Sequence, residues 1–144
     1  MNNIKCIVIS GKSNSGKTTS ILGLINSFRK YKLIKEGTFS DYNKTTKDRW
    51  AIFEINGKKV GLFSQGDSRF GIEHGLRETK DCDFIIGASH LYGDTISTYF
   101  DYKVKCFKQN EVLFINKIHF NENIYIDDLI KSGQMVKEII LGYK

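Results

Sequence analysis

The chain has 144 residues, 40% of them hydrophobic, including ten Phe and seven Tyr. This is the size of one domain with a buried core, which excludes a disordered chain and a multidomain motor or transporter. The net charge of +6 favours anionic ligands, but no basic run is long enough to form a nucleic-acid-binding arm, so we attribute the charge to a lysine-rich surface.

The cysteine count is odd, at three, and no Cys-x-x-Cys spacing occurs among Cys6, Cys82 and Cys106. We therefore predict three buried, reduced thiols rather than a disulfide framework or a zinc site. The first residues carry no signal-peptide pattern, and no apolar run approaches the length of a membrane span. We expect a cytoplasmic protein that does not enter the membrane.

The first half of the chain predicts a strand, a helix and a loop. Residues 4–9 form an apolar run rich in β-branched side chains, which indicates a buried strand. Apolar residues then recur at helical spacing, which predicts a helix from about Gly16 to Lys30. Residues 34–48 are polar and rich in turn formers, and we interpret 36–44 as a mobile loop over the site.

The second half contains the clearest local signal, a β-hairpin over residues 50–63 with Asn56-Gly57 at its turn. The elements predicted after it are a short helix at 69–80, strands at 83–88 and 111–118, a helix after Asp94, and a C-terminal helix over about 129–140. Alternation of strands and helices predicts a single α/β domain spanning 1–144. Its sheet is mostly parallel, with one antiparallel hairpin and helices on both faces.

Residues 11–18, Gly-Lys-Ser-Asn-Ser-Gly-Lys-Thr, fully match the pattern G-x-x-x-x-G-K-[ST] between a predicted strand and a predicted helix. In such a loop the main-chain N–H groups and the helix N-terminus bind phosphate oxygens. Lys17 is expected to reach the β- and γ-phosphates, the Thr18 hydroxyl to bind Mg²⁺, and Thr19 to bond the α-phosphate. The predicted nucleotide-binding residues of this segment are Gly11, Asn14, Ser15, Gly16, Lys17, Thr18 and Thr19.

With this motif the chain resembles the P-loop NTPases, and the resemblance implies their three-layer fold. Residues 60–67 followed by 82–89 also resemble small bacterial ATP-binding proteins of undefined role. Lys12 occupies the position of a lysine that acts across a dimer in partition and arsenite-pump ATPases. Ser13 and Asn14 depart from the glycines of those families, so we favour a solvent-facing Lys12.

Ligands of parallel sheets bind at the carboxyl ends of the strands, which selects the segments Ser64–Asp67 and Ser89–His90. We choose Asp67 as the catalytic and Mg²⁺-binding carboxylate, with a helix cap as its alternative role. His90 is predicted to contact phosphate or to transfer a proton, with a plain loop histidine as the alternative. Asp83 begins its strand and is therefore interpreted as a turn residue.

Base preference is indicated by the end of the last predicted strand, Asn116-Lys117-Ile118-His119. A GTPase requires aspartate where this chain has His119, and imidazole cannot accept both guanine N–H groups. Asp67 is followed by Gly71, one residue too late for Asp-x-x-Gly. We therefore expect the protein to bind ATP with Mg²⁺ in preference to GTP.

Three functions fit these residues. The first is a small ATPase that couples ATP binding or hydrolysis to movement of the loop 36–48. The second is a phosphotransferase acting on a small acceptor. Nucleotide kinases need several arginines to bind the acceptor and the transferred phosphates, and only Arg49 and Arg69 lie near the predicted site. The third is a nucleotide-dependent binding module for protein or nucleic acid. The acceptor, the partner and the oligomeric state are left open by the sequence.

Overall fold

A computed structural model describes residues 4–11, 21, 25–26, 28–29, 32, 34–35, 38, 40–42, 50–90 and 94–117. Its strands are β1 (Cys6–Gly11), β2 (Ser40–Tyr42), β3 (Trp50–Ile55), β4 (Lys58–Phe63), β5 (Phe84–Ser89) and β6 (Val112–Lys117). Its helices are α1 (Arg69–Glu78) and α2 (Asp94–Asp101), with a 3₁₀ turn at Gln109–Glu111. Residues 21, 25–26 and 28–29 are also helical, inside the helix predicted for that segment.

The strands form one six-stranded sheet in the order β2-β3-β4-β5-β1-β6. The strands β4, β5, β1 and β6 are parallel to one another, whereas β3 is antiparallel to both of its neighbours. Val8 of β1 lies between Gly87 of β5 and Phe114 of β6. The predicted α/β class with a mostly parallel sheet is confirmed, and every residue of β1 and β5 is buried, as expected of central parallel strands.

The hairpin has the bounds that its sequence predicted, with β3 and β4 joined at Asn56-Gly57. Both turn residues have positive φ, 49° and 80°, which is the requirement of a type I′ turn. Buried residues alternate with half-buried ones along β3, whereas the last four residues of β4 are all buried. The hairpin therefore joins the parallel part of the sheet through β4.

Two apolar clusters cover the two faces of the sheet. On one face the helical residues Ile21, Ile25 and Phe28 share a cluster with Ile7 and Ile86. The opposite face carries a second cluster, in which side chains of the two helices meet those of the sheet: Val8, Phe63, Ile72, Leu76, Ile85 and Tyr99. The described residues thus form three layers, with helical residues on both sides of the sheet.

Helix α1 lies very close to the sheet because glycines stand at the points of contact. A Cβ at Gly75 would collide with the Phe63 ring, and one at Gly61 would lie 2.6 Å from Thr79 Cγ2. The helix begins where Ser68 Oγ accepts a hydrogen bond from Gly71 N at 3.0 Å. Close packing therefore stabilises a helix whose glycines disfavour it in isolation.

The structure corrects two expectations. Residues 40–42, placed in the predicted mobile loop, form the edge strand β2 and pair antiparallel with residues 50–52 of β3. Cys106 is exposed, whereas Cys6 and Cys82 are buried as predicted, and all three thiols are free. The predicted elements at 4–9, 50–63, 69–80, 83–88 and 111–118 and the helix after Asp94 agree within two residues with the observed ones. The ends of the helix predicted from Gly16 to Lys30 and the whole C-terminal helix at 129–140 lie outside the described residues.

Candidate functional site

The connections of β1 and β5 define the edge of the sheet where a ligand fits. After β1 the chain continues to helical residues on one face of the sheet, whereas after β5 it continues to α2 on the other face. Adjacent parallel strands that leave toward opposite faces open a crevice between their carboxyl ends. Gly11 ends β1 and His90 comes directly after β5, so both border this crevice.

The segment that matches the pattern G-x-x-x-x-G-K-[ST] begins at this edge. Gly11 is the last residue of β1, is buried, and pairs in register with Lys117 at the end of β6. The predicted strand at 4–9 thus extends to the first glycine of the motif. Residues 12–20, including Lys17 and Thr18, lie outside the described residues, and the next described residue, Ile21, is helical.

Asp67 and His90, predicted from separate strands, are brought together at this edge. The Nε2 atom of His90 lies 3.0 Å from the main-chain oxygen of Asp67 and 3.6 Å from its Oδ1. The two residues are 23 positions apart in the chain and meet because β4 and β5 are neighbours. The Asp67 side chain is 68% exposed and that of His90 is 30% exposed, so the carboxylate faces solvent beside a half-buried ring.

The alternative role of Asp67 as a helix cap does not hold, because Ser68 supplies the N-cap of α1. Asp67 lies one residue before the cap, in the segment that leads from β4 into the helix. This position keeps its carboxylate near the N-terminus of a ten-residue helix, where the helix dipole favours negative charge. An anionic side chain is therefore compatible with the local backbone there.

The end of β5 is held in place by several hydrogen bonds. His90 N donates to Thr95 Oγ1 at 3.0 Å, and Ser89 Oγ donates to the main-chain oxygen of His90 at 2.8 Å. The buried Tyr99 hydroxyl donates to Ala88 O at 2.6 Å. Sequence reasoning missed Thr95, whose only signal was its place after Asp94 at the start of a predicted helix.

Gly66 brings the segment after β4 against the end of β5. A Cβ on this residue would lie 2.5 Å from the carbonyl carbon of Ala88 and 2.7 Å from Ser89 N. Only glycine permits such an approach to main-chain atoms. The contact sets the distance between the segment that carries Asp67 and the strand that carries His90.

Asp83 lies at the opposite edge, as predicted. Its Oδ2 accepts a hydrogen bond from Lys59 N at 2.9 Å, and its own N–H donates to Lys59 O at 2.7 Å. Asp83 therefore joins the beginnings of β4 and β5. Arg69 forms an ion pair with Glu73 at 3.0 Å on the surface of α1.

The pronounced pKa shifts of the described residues fall in the core and at the amino edge. Burial raises the pKa of Cys82 to about 11 and that of Cys6 further, with lysines opposing the effect at both thiols. Burial likewise raises the pKa of Tyr99. The Lys5 side chain, followed by the Lys108 N–H, lowers the pKa of Glu111 through hydrogen bonds. These groups belong to the core and the amino edge rather than to the candidate site.

The carboxylate of Asp67 fits the requirements of a nucleotide-bound Mg²⁺. Among the residues that the structure describes, no three His, Cys, Asp or Glu side chains come close enough to hold a metal by themselves. Magnesium bound to a nucleotide needs only one or two carboxylates, because phosphate oxygens and water supply its remaining ligands. The solvent-facing carboxylate of Asp67, at the carboxyl edge next to His90, suits that coordination.

Comparison of the chain with known protein families, curated proteins and solved structures found no significant match. Within the described part of the chain, neither helix has the length and apolar character needed to cross a bilayer. The functional assignment therefore depends on the motif and on the geometry of the carboxyl edge. Both are read from this chain itself and do not depend on similarity to another protein.

Proposed function

We propose that the chain is a P-loop protein that binds ATP with Mg²⁺ at the carboxyl edge of its sheet and hydrolyses it. The observation that carries the proposal is the agreement between motif and topology. The phosphate-loop sequence starts at the last residue of β1, and β1 borders the crevice where ligands of such sheets bind.

In this proposal Lys17 neutralises charge on the β- and γ-phosphates, and the main-chain N–H groups of residues 13–18 bind phosphate oxygens. Thr18 and Asp67 hold Mg²⁺, which when bound withdraws charge from the phosphates. Asp67 is suited to this role because its carboxylate is exposed at the carboxyl edge of the sheet, next to His90. ATP is favoured over GTP because His119 replaces the aspartate that guanine requires.

A phosphotransferase is the second candidate, and one contact weighs against it. Acceptor phosphates are generally bound by several arginines. Arg69, one of the two near the site, forms its ion pair with Glu73 instead. We therefore favour water over a phosphorylated acceptor as the destination of the γ-phosphate. A binding module without turnover remains as an outcome of the test.

The test is to titrate Lys17→Ala with ATP and Mg²⁺ and to measure the affinity by isothermal titration calorimetry. Lys12→Ala is the matched control in the same segment. We expect Lys17→Ala to lose at least about a hundredfold in affinity, because charge-assisted hydrogen bonds to phosphate are among the strongest in proteins. Lys12→Ala should bind like the wild type. Equal affinity of Lys17→Ala and wild type would overturn the phosphate-loop assignment.

Turnover is measured as phosphate release with and without added nucleoside or nucleotide. Release from ATP alone supports hydrolysis, release or transfer only with an acceptor supports a kinase, and binding without turnover supports a binding module. Asp67→Asn should retain most ATP binding and lose Mg²⁺-dependent turnover. Wild-type turnover in Asp67→Asn would assign the metal-binding role to another residue.

A further inference from the structure

The His90 ring is engaged with the main chain of Asp67 rather than pointing a free donor at the crevice. Its Nε2 lies 3.0 Å from the Asp67 carbonyl oxygen. Because a carbonyl oxygen can only accept, Nε2 must carry the proton, and Nδ1 of the neutral ring is then an acceptor. An Nε2–H committed to this bond is not available to donate to a phosphate.

The main chain of His90 is fixed from the α2 side. The His90 N–H donates to Thr95 Oγ1, and Thr95 is only 6% exposed. Thr95 lies in the first turn of α2, which packs on the sheet through the buried Tyr99. A chain of two hydrogen bonds therefore runs from a buried helical residue through His90 to the segment that carries Asp67.

We propose that His90 is a positioning residue, which holds the main chain at Asp67 so that the carboxylate stays at the crevice for the Mg²⁺ of the bound nucleotide. This inference rests on the proposed function. A main chain that is already fixed when the metal binds reduces the conformational entropy lost on binding. The bond from Nε2 fixes that main chain before binding, so its loss weakens metal binding and leaves the phosphate loop intact.

The position of the donor nitrogen provides a sharp test. Glutamine places its amide nitrogen near the position of imidazole Nε2, whereas asparagine places it near that of Nδ1. His90→Gln can therefore still donate to Asp67 O, and His90→Asn cannot. The two variants carry the same amide group and differ only in the length of the side chain.

The readout is the Mg²⁺ concentration that half-saturates binding at fixed ATP, with ATP affinity in EDTA as the control. We expect His90→Asn to require about five- to tenfold more Mg²⁺, the value of one hydrogen bond, and His90→Gln to stay within about twofold of wild type. ATP affinity in EDTA should not change in either variant. Equal Mg²⁺ requirements of the Gln and Asn variants would overturn the positioning role.

A double-mutant cycle tests whether His90 acts through the Asp67 carboxylate. Asp67→Asn keeps the main-chain oxygen that accepts the bond but removes the charge. In that background His90→Asn should have no further effect on the Mg²⁺ requirement. An undiminished effect would show that His90 acts by another route.

A spectroscopic measurement separates this inference from the proposed function. Long-range ¹⁵N–¹H correlation of the imidazole ring identifies which nitrogen carries the proton, without nucleotide. We expect the Nε2–H tautomer for neutral His90, and an Nδ1–H tautomer would overturn the inference. If wild type binds no ATP, the proposed function fails and the metal-positioning role fails with it. An Nε2–H spectrum would then still agree with the His90–Asp67 bond.

Discussion

Gly66→Ala is the substitution whose effect is tied most directly to the packing of the candidate site. The added Cβ would lie 2.5 Å from the Ala88 carbonyl carbon, 2.6 Å from Ala88 Cβ and 2.7 Å from Ser89 N, closer than the 3.0 Å limit of real contacts. These neighbours belong to β5, which is buried along its whole length, and they pair with Ile9 and Ser10 of β1, so they have little room to yield.

The segment after β4 must therefore move away from β5, by about 0.5–1 Å to restore ordinary contacts. Such a shift lengthens the 3.0 Å bond between His90 Nε2 and Asp67 O toward the limit of hydrogen bonding. Overpacking of this kind costs about 1–3 kcal/mol, which corresponds to a decrease in Tm of roughly 3–10 °C for a domain of this size.

The assay combines thermal unfolding followed by circular dichroism with the Mg²⁺ titration at fixed ATP. Gly57→Ala is the matched control, because Gly57 has φ of 80° at the hairpin turn and a Cβ added there would meet no atom within 4 Å. That variant should lose about 1 kcal/mol through its backbone alone and keep the wild-type Mg²⁺ requirement. A Gly66→Ala protein with wild-type Tm and Mg²⁺ requirement would refute the reasoning.

Three further variants test other contacts of the fold. Thr95→Val removes the acceptor of His90 N and should cost about 1 kcal/mol in chemical denaturation, whereas Thr95→Ser should be nearly neutral; equal losses would exclude the hydrogen bond as the cause. Alkylation followed by mass spectrometry should label exposed Cys106 in the native protein and label Cys82 only after unfolding, because burial raises the Cys82 pKa to about 11; early labelling of Cys82 would contradict that burial. Glu111→Gln should lower stability at neutral pH, since a lowered pKa means that the charged carboxylate stabilises the folded state. Denaturation at a series of pH values should show the difference from wild type disappearing as the pH falls through the folded-state pKa, and a pH-independent difference would refute this.

Local sequence signals located most of the elements. Asn56-Gly57 fixed the hairpin because a type I′ turn needs positive φ at both positions, a requirement met within two residues. The apolar runs of β1 and β5 identified central strands because both faces of such strands are buried. These features depend on neighbouring residues and can be inferred without knowledge of the rest of the fold.

Contacts between distant segments were harder to predict. Strand β2 has only three residues, Ser40–Tyr42, and no apolar pattern, so its structure comes from pairing with β3. The carboxyl-end rule placed Asp67 and His90 at one edge, but it could not show that the ring would bond to the main chain of Asp67. That bond depends on the adjacency of β4 and β5 and on the close approach at Gly66.

The place of β1 in the sheet also determines when the chain can fold during synthesis. It is translated before the other described strands, yet its hydrogen-bonding partners are β5 and β6, which end at Ser89 and Lys117. Until the ribosome has released those residues, the apolar strand has two open edges, which are sites of intermolecular pairing and aggregation. The β3–β4 hairpin, whose contacts are local, can form earlier. Nascent chains stalled before residue 112 should therefore depend on chaperones, and the sheet should close around β1 only when β6 emerges.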